Sequence, residues 1–125
     1  MEEGAVKKIL LIEDDSIIVR MYQRKFEMEG YKIETAYDGK EGLEKAKASK
    51  PNIILLDIMI PKIEGLEVLK KLKEEKNTKN IPVIILSNLA GKEVQQGLQL
   101  GAKDYLVKSK YTPAQVVEKV KNILK

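Results

Sequence analysis

Apolar residues follow two alternating rhythms along this chain. In short runs almost every position is apolar, as in KKILLIE (7–13), NIILLD (52–57) and IPVIILS (81–87). Between them, apolar positions recur every three or four residues among charged ones, as in SIIVRMYQRKFEME (16–29) and GLEVLKKLKEEK (65–76). The first rhythm predicts strands buried on both faces, the second amphipathic helices. YKIETA (31–36) and DYLVK (104–108) complete five strands; GKEGLEKAKAS (39–49), GKEVQQGLQLG (91–101) and PAQVVEKVKNILK (113–125) complete five helices. The punctuation agrees. Ser16 lies near the start of the first helix and Gly30 just past its end, Pro51 stops the second, and Pro113 falls in the first turn of the last.

Strict alternation of strand and helix implies a parallel α/β sheet covered by helices on both faces. The wholly apolar first, third and fourth strands belong at its centre, whereas YKIETA reads as an edge. That predicts a flavodoxin-like, doubly wound (βα)5 fold with strand order 2-1-3-4-5. Ligands of such sheets bind beyond the carboxyl ends of the strands, where the strand order reverses. Here those ends carry Glu13, Asp14 and Asp15, then Asp57, Ser87 and Lys108. The topology predicts that all of them meet in one crevice. This accounts for the position of Asp57, a carboxylate directly behind Ile53, Ile54, Leu55 and Leu56 that would be expensive to bury alone.

Composition narrows the chemistry. At 125 residues, 43% hydrophobic and 34% charged, the chain has the make-up of one soluble domain. Its apolar runs are too short to span a bilayer, and MEEGAVKK lacks the apolar core of a signal peptide. With no cysteine there is no disulfide framework, so a cytoplasmic location is expected. The lack of histidine is more restrictive, because it removes His-based triads, His metal sites and any phosphohistidine on this chain. A net charge of +4 and a pI near 9.1 raise the question of nucleic acid. Lysines are interleaved with glutamates in EEKNTKN and KEGLEKAKASK, however, and aromatics are only 5%. A solvated mixed-charge surface is the better reading.

Each candidate residue has an ordinary explanation when taken alone. An Asp after a strand is commonly a turn residue, Glu13 to Asp15 could cap the next helix, and a Ser at a strand end is usually in a turn. Lys108 is one of 23 basic residues, and Tyr105 is by default a half-buried strand aromatic. Their arrival on the right strand ends is what carries weight. Clustered carboxylates repel one another and suit a hard divalent cation such as Mg²⁺, with no Cys or His to favour a softer metal. A carboxylate nucleophile beside a lysine and a hydroxyl is equipped for phosphoryl transfer.

KKILLIEDD, LLDIMIPKIEG with Met59, Pro61 and Gly65, IPVIILSNLA, and GAKDYLVKS occur in that order. Together they resemble the receiver domain of two-component response regulators over essentially the whole chain. The resemblance implies a phosphorylation-activated switch with Asp57 as phosphoacceptor. The donor would be the phosphohistidine of a sensor kinase or phosphotransfer protein, or a small acyl phosphate. It implies Mg²⁺, with Mn²⁺ as a possible substitute, bound directly by Asp14 and Asp57, by the backbone carbonyl of Met59, and by Glu13 through a water. Ser87 and Lys108 would hold the phosphoryl oxygens. Tyr105 would follow Ser87 and report to the surface of helix four, strand five and helix five, where a protein partner docks around Val94, Gln95, Leu98, Lys103 and Tyr105. The expected protein is no enzyme beyond its own phosphorylation and dephosphorylation. Residues 1–125 would form one receiver with no output domain, acting without direct contact to nucleic acid or membrane, as a monomer or a phosphorylation-dependent dimer.

Three positions depart from the family pattern. Ser109 stands where Pro usually follows the lysine, which leaves the conformation of that loop open. Asn88 is bulkier than the usual Ala or Gly and narrows the donor's approach. Leu89 replaces a polar residue that helps to position attacking water, so Met59 and Leu89 together predict slow loss of the phosphoryl group. Two other classes compete with the switch. A Mg²⁺-dependent phosphohydrolase with an aspartyl-phosphate intermediate resembles a pattern with a second Asp two residues after the nucleophile, where Met59 stands. A scaffold receiver acting without phosphorylation sits poorly with the intact set of Asp14, Asp57, Ser87 and Lys108.

Overall fold

Residues 6–125 are described by the computed structural model, and each predicted strand and helix is present. In chain order they are β1 (Lys8–Ile12), α1 (Ser16–Met28), β2 (Lys32–Ala36), α2 (Gly39–Ser49), β3 (Ile53–Leu56), α3 (Gly65–Glu74), β4 (Val83–Ser87), α4 (Lys92–Gln99), β5 (Asp104–Val107) and α5 (Pro113–Leu124). All pairings are parallel and the order is β2-β1-β3-β4-β5, as predicted.

Several element ends agree with the sequence reading, and the others differ by one or two residues. The first helix starts at Ser16, as read, and of the two residues that could cap it the structure uses Asp15, whose side chain accepts from the amides of Ile17 and Ile18. Gly30 follows that helix with φ +93°, a conformation L side chains rarely adopt. The third helix stops at Glu74 instead of Lys76 because the next residues turn back, and the buried Thr78 hydroxyl donates to Leu72 O at 2.7 Å. The fourth strand starts at Val83, beyond Pro82, which has no N–H to give the ladder.

Strand alternation sorts the core into two layers. Leu10 and Ile12 pack with Leu43, Ala46, Val68, Leu69 and Leu72 from α2 and α3. Ile9 and Leu11 pack on the opposite face with Val19, Tyr22, Phe26, Val116, Val117 and Val120 from α1 and α5. Every residue of β3 and β4 is buried, which explains their lack of alternation. Each fully buried Ile or Leu contributes about 1.5–3 kcal/mol, so the two layers hold the strand ends in fixed register.

Candidate functional site

The register brings the strand ends level. Ile12 pairs with Leu56, Leu56 with Ile85, and Ser87 with Val107. Glu13, Asp57, Ser87 and Lys108 therefore leave the sheet along one edge. Backbone bonds fix the two carboxylate-bearing residues there: Asp57 N donates to Ile12 O at 3.0 Å, and Glu13 N to Ala36 O at 2.9 Å.

All three of these acidic or hydroxyl groups are buried, with Asp57 6% exposed, Glu13 2% and Ser87 0%. Asp57 is nonetheless not alone. Lys108 Nζ donates to Asp57 Oδ2 at 2.9 Å and also to Glu13 Oε1. The other oxygen of Asp57 accepts from Met59 N at 3.2 Å, and Glu13 Oε2 accepts from Asp15 N at 3.1 Å. Burial pushes the Glu13 carboxyl above its ordinary range, an effect only partly offset by its hydrogen bond from Lys108. For Lys108 burial acts downward, but the hydrogen bonds to Glu13 and Asp57 outweigh it and hold the ammonium above its ordinary value.

Asp14 points the cluster outward. It is exposed, and its carboxylate reaches within 4.8 Å of oxygens of both Glu13 and Asp57. Three carboxylates against one ammonium leave two formal negative charges, the charge of one divalent cation. The donor set is entirely oxygen, which suits a hard ion such as Mg²⁺. Next to Asp14 an open hollow is walled by Met59, Ile60, Pro61 and Leu89.

The loop carrying Asp57 is clamped by the start of α3. Gly65 N donates to Ile58 O at 2.9 Å, and a Cβ at Gly65 would lie 2.3 Å from Ile58 Cα and 2.6 Å from Asp57 O. Only glycine permits so close an approach.

On the other side, Ser87 Oγ accepts from Leu89 N at 3.4 Å, and Tyr105 Oη donates to Leu89 O. Tyr105 was expected to be half-buried, yet only 8% of it is exposed. It faces inward because the carbonyl of Leu89 offers its hydroxyl a partner, and burial raises its pKa. Of the expected docking residues, Gln95, Leu98 and Lys103 are exposed, Val94 is half-buried, and Tyr105 presents little surface.

After β5 the chain makes a 3-10 turn over Lys108–Lys110, with no cis peptide bond among the described residues. Lys108 thus lies just past the strand end predicted for it, with its ammonium turned back into the site. The direct contact between Lys108 and Glu13 was not foreseen, nor was the proximity of Tyr22 on α1, which feels the charges of both. Nothing in the sequence separates Tyr22 from the apolar stripe around it.

This geometry has close counterparts. The model of the response regulator receiver domain matches residues 9–121. The chain belongs to that family. Among its relatives, the alkaline phosphatase synthesis transcriptional regulatory protein PhoP of Bacillus subtilis is 41% identical over 121 residues, 95% of this chain and 49% of PhoP. Response regulator PleD of Caulobacter vibrioides is 40% identical over 102 residues, 81% of this chain and 22% of PleD. The receiver thus spans half or less of these curated relatives. Among solved structures, the CheY-like receiver from Methanospirillum hungatei superposes with a TM-score of 0.89 at 32% identity, covering 96% of this chain and 94% of that one. Vibrio cholerae CheY4 gives 0.88 at 29% identity, covering 96% and 100%. Receivers of this kind are regulatory modules of two-component systems that bind Mg²⁺ through acidic residues and work with histidine kinases or phosphotransfer proteins. No helix among the described residues is long and apolar enough to cross a membrane.

Proposed function

We propose that this receiver is a phosphorylation-activated switch whose phosphoacceptor is Asp57. The reading rests above all on one contact, the ion pair of Lys108 with the buried Asp57 carboxylate inside an oxygen-only cluster. Asp57 is aimed and held by Met59 N, so the oxygen bonded to Lys108 is presented as a nucleophile of fixed direction. Lys108 is placed to transfer its contact to a phosphoryl oxygen once one arrives, and the Ser87 hydroxyl at the end of β4 supplies a second donor. Asp14, Asp57 and the backbone carbonyl of Met59 would hold Mg²⁺, with Glu13 acting through a water and Mn²⁺ as substitute. Bound there, the ion would neutralise charge on the transferring group.

Two finer statements belong to the same reading. The donor is the phosphohistidine of a kinase or phosphotransfer protein, or an acyl phosphate, and the output passes through Tyr105 to a protein partner at α4, β5 and α5. Residues 1–125 act as one receiver unit, and its chemistry is confined to gaining and losing its own phosphoryl group.

Incubation with Mg²⁺ and acetyl phosphate, followed by intact mass spectrometry, tests this directly. One phosphoryl adduct is expected on the wild type and none on Asp57→Asn. An adduct on both proteins, or on neither, would overturn the assignment.

A further inference from the structure

The open hollow beside Asp14 encloses about 430 Å³, room for several molecules the size of water or a peroxide. Its walls are mostly apolar, with Asp14 and Glu64 as the polar side chains. Two of the apolar residues, Met59 and Leu89, are fastened to the acceptor site. Met59 N donates to Asp57 Oδ1 at 3.2 Å, and Leu89 N donates to Ser87 Oγ at 3.4 Å. Each therefore stands one backbone amide away from a group that flanks the phosphoryl position.

Met59 differs from Leu89 in carrying sulfur. Its side chain is 63% exposed, so a small oxidant in solvent or in the hollow reaches it. The chain has no cysteine, so no thiol competes and thioether is its only oxidisable sulfur. Met21 and Met28 also reach the surface, but they line a separate concavity on α1 beside Arg20 and Arg24. Oxidation of a thioether to a sulfoxide turns an apolar side chain into a polar one, with an oxygen that accepts hydrogen bonds. At Met59 that oxygen would appear beside Asp57; at Met21 or Met28 it would only meet solvent.

We infer that Met59 is a modification site, at which oxidation by a hydroperoxide shortens the life of the phosphoryl group on Asp57. The inference rests on Asp57 being the phosphoacceptor. In the modifying step a sulfur lone pair attacks the outer oxygen of the peroxide. A sulfur–oxygen bond forms and the oxygen–oxygen bond breaks. The proton of the transferred oxygen passes to the departing one, which leaves as water or an alcohol. Sulfur loses two electrons and the peroxide gains them. The new sulfoxide oxygen then accepts a hydrogen bond from a water in the hollow and holds it for attack on phosphorus, which neither native wall residue can do. A rise in peroxide thereby ends the phosphorylated state early, and reduction of the sulfoxide restores it.

The test treats the full chain with hydrogen peroxide, maps sulfoxides by peptide mass spectrometry, then phosphorylates it with acetyl phosphate and Mg²⁺ and follows loss of the adduct. Each variant is compared with its own untreated sample. Treatment is expected to speed the loss about three- to tenfold in the wild type and in Met28→Leu. In Met59→Leu the change should be less than about twofold, and a methionine sulfoxide reductase should return the oxidised wild type to its starting rate. Met59→Gln, which places an amide oxygen there permanently, should lose the group quickly without peroxide. An equal response in Met59→Leu overturns the inference and leaves Asp57 as acceptor. So does an unchanged or slower loss when Met59 is mapped as sulfoxide, or a map that shows Met28 oxidised and Met59 intact. No adduct on the untreated wild type removes the phosphoacceptor reading and this inference with it.

Discussion

Lys108 Nζ and Asp57 Oδ2 meet at 2.9 Å although 51 residues separate them, with Glu13 as the lysine's second partner. The ammonium holds together two carboxylates that would otherwise repel each other in a buried site. It is also the group that offsets the mutual repulsion of the buried Glu13 and Asp57 carboxylates.

Removing it is therefore more damaging than removing either partner. Lys108→Ala is expected to lower stability by about 3 kcal/mol in the absence of divalent ions, since it strands two buried charges. Asp57→Asn costs less, because Lys108 keeps Glu13. Mg²⁺ should restore a large part of the loss in Lys108→Ala, as a ligand that binds only the folded form. Urea denaturation with and without Mg²⁺ measures this; equal losses in the two variants, or no recovery, would count against the pairing.

The clamp on the Asp57 loop yields a second expectation. In Gly65→Ala the new methyl would meet the backbone of Ile58 and Asp57, which cannot swing aside as a side chain could. We expect a loss of about 2–4 kcal/mol together with weaker Mg²⁺ binding, as Asp57 is displaced. Isothermal titration of Mg²⁺ into the folded variant separates the two effects, and unchanged affinity would place Asp57 outside the metal site.

A pH-dependent contribution comes from the start of α2. Asp38 Oδ1 accepts from Glu41 N at 2.8 Å, and Glu41 Oε1 accepts from Tyr37 N at 2.8 Å. These backbone bonds hold both carboxyls below their ordinary values of 3.8 and 4.5. Because the folded-state values are depressed, the stabilisation is present above the ordinary values and disappears as pH falls through the folded ones. Asp38→Ala should thus lower the denaturation midpoint at about pH 7 and have much less effect at about pH 3. A pH-independent loss would mean the charge plays no part.

Met59 is 63% exposed, and with Leu89 it walls the hollow beside Asp14. Neither side chain can orient a water by hydrogen bonding. The phosphorylated receiver should consequently be long-lived, and a Met59→Asn/Leu89→Glu double variant should lose its phosphoryl group roughly tenfold faster or more. Loss of phosphate from isolated phosphoprotein gives the rates; equal half-lives would remove these residues from the account.

Much of this protein was legible in its sequence because the signals are local and repeated. Unbroken apolar runs such as VIILS marked central parallel strands, and three- to four-residue spacing marked the helices, so element order and sheet order followed. Asp57, Ser87 and Lys108 could be placed on one edge because each directly follows or ends an apolar run. Local signals failed where a partner lies far along the chain. The inward turn of Tyr105 depends on a carbonyl 16 residues away, and the Lys108–Glu13 contact spans 95.

The alternation of runs and amphipathic stretches by itself determined a parallel sheet with acidic, hydroxyl and ammonium residues at its carboxyl edge, because backbone pairing and apolar burial follow from residue spacing alone. Only the folded molecule decided which of those groups touch, which way Tyr105 turns, and where space remains beside Lys108. Those outcomes depend on distances of a few tenths of an ångström between side chains from separate strands, and spacing along a chain does not encode them.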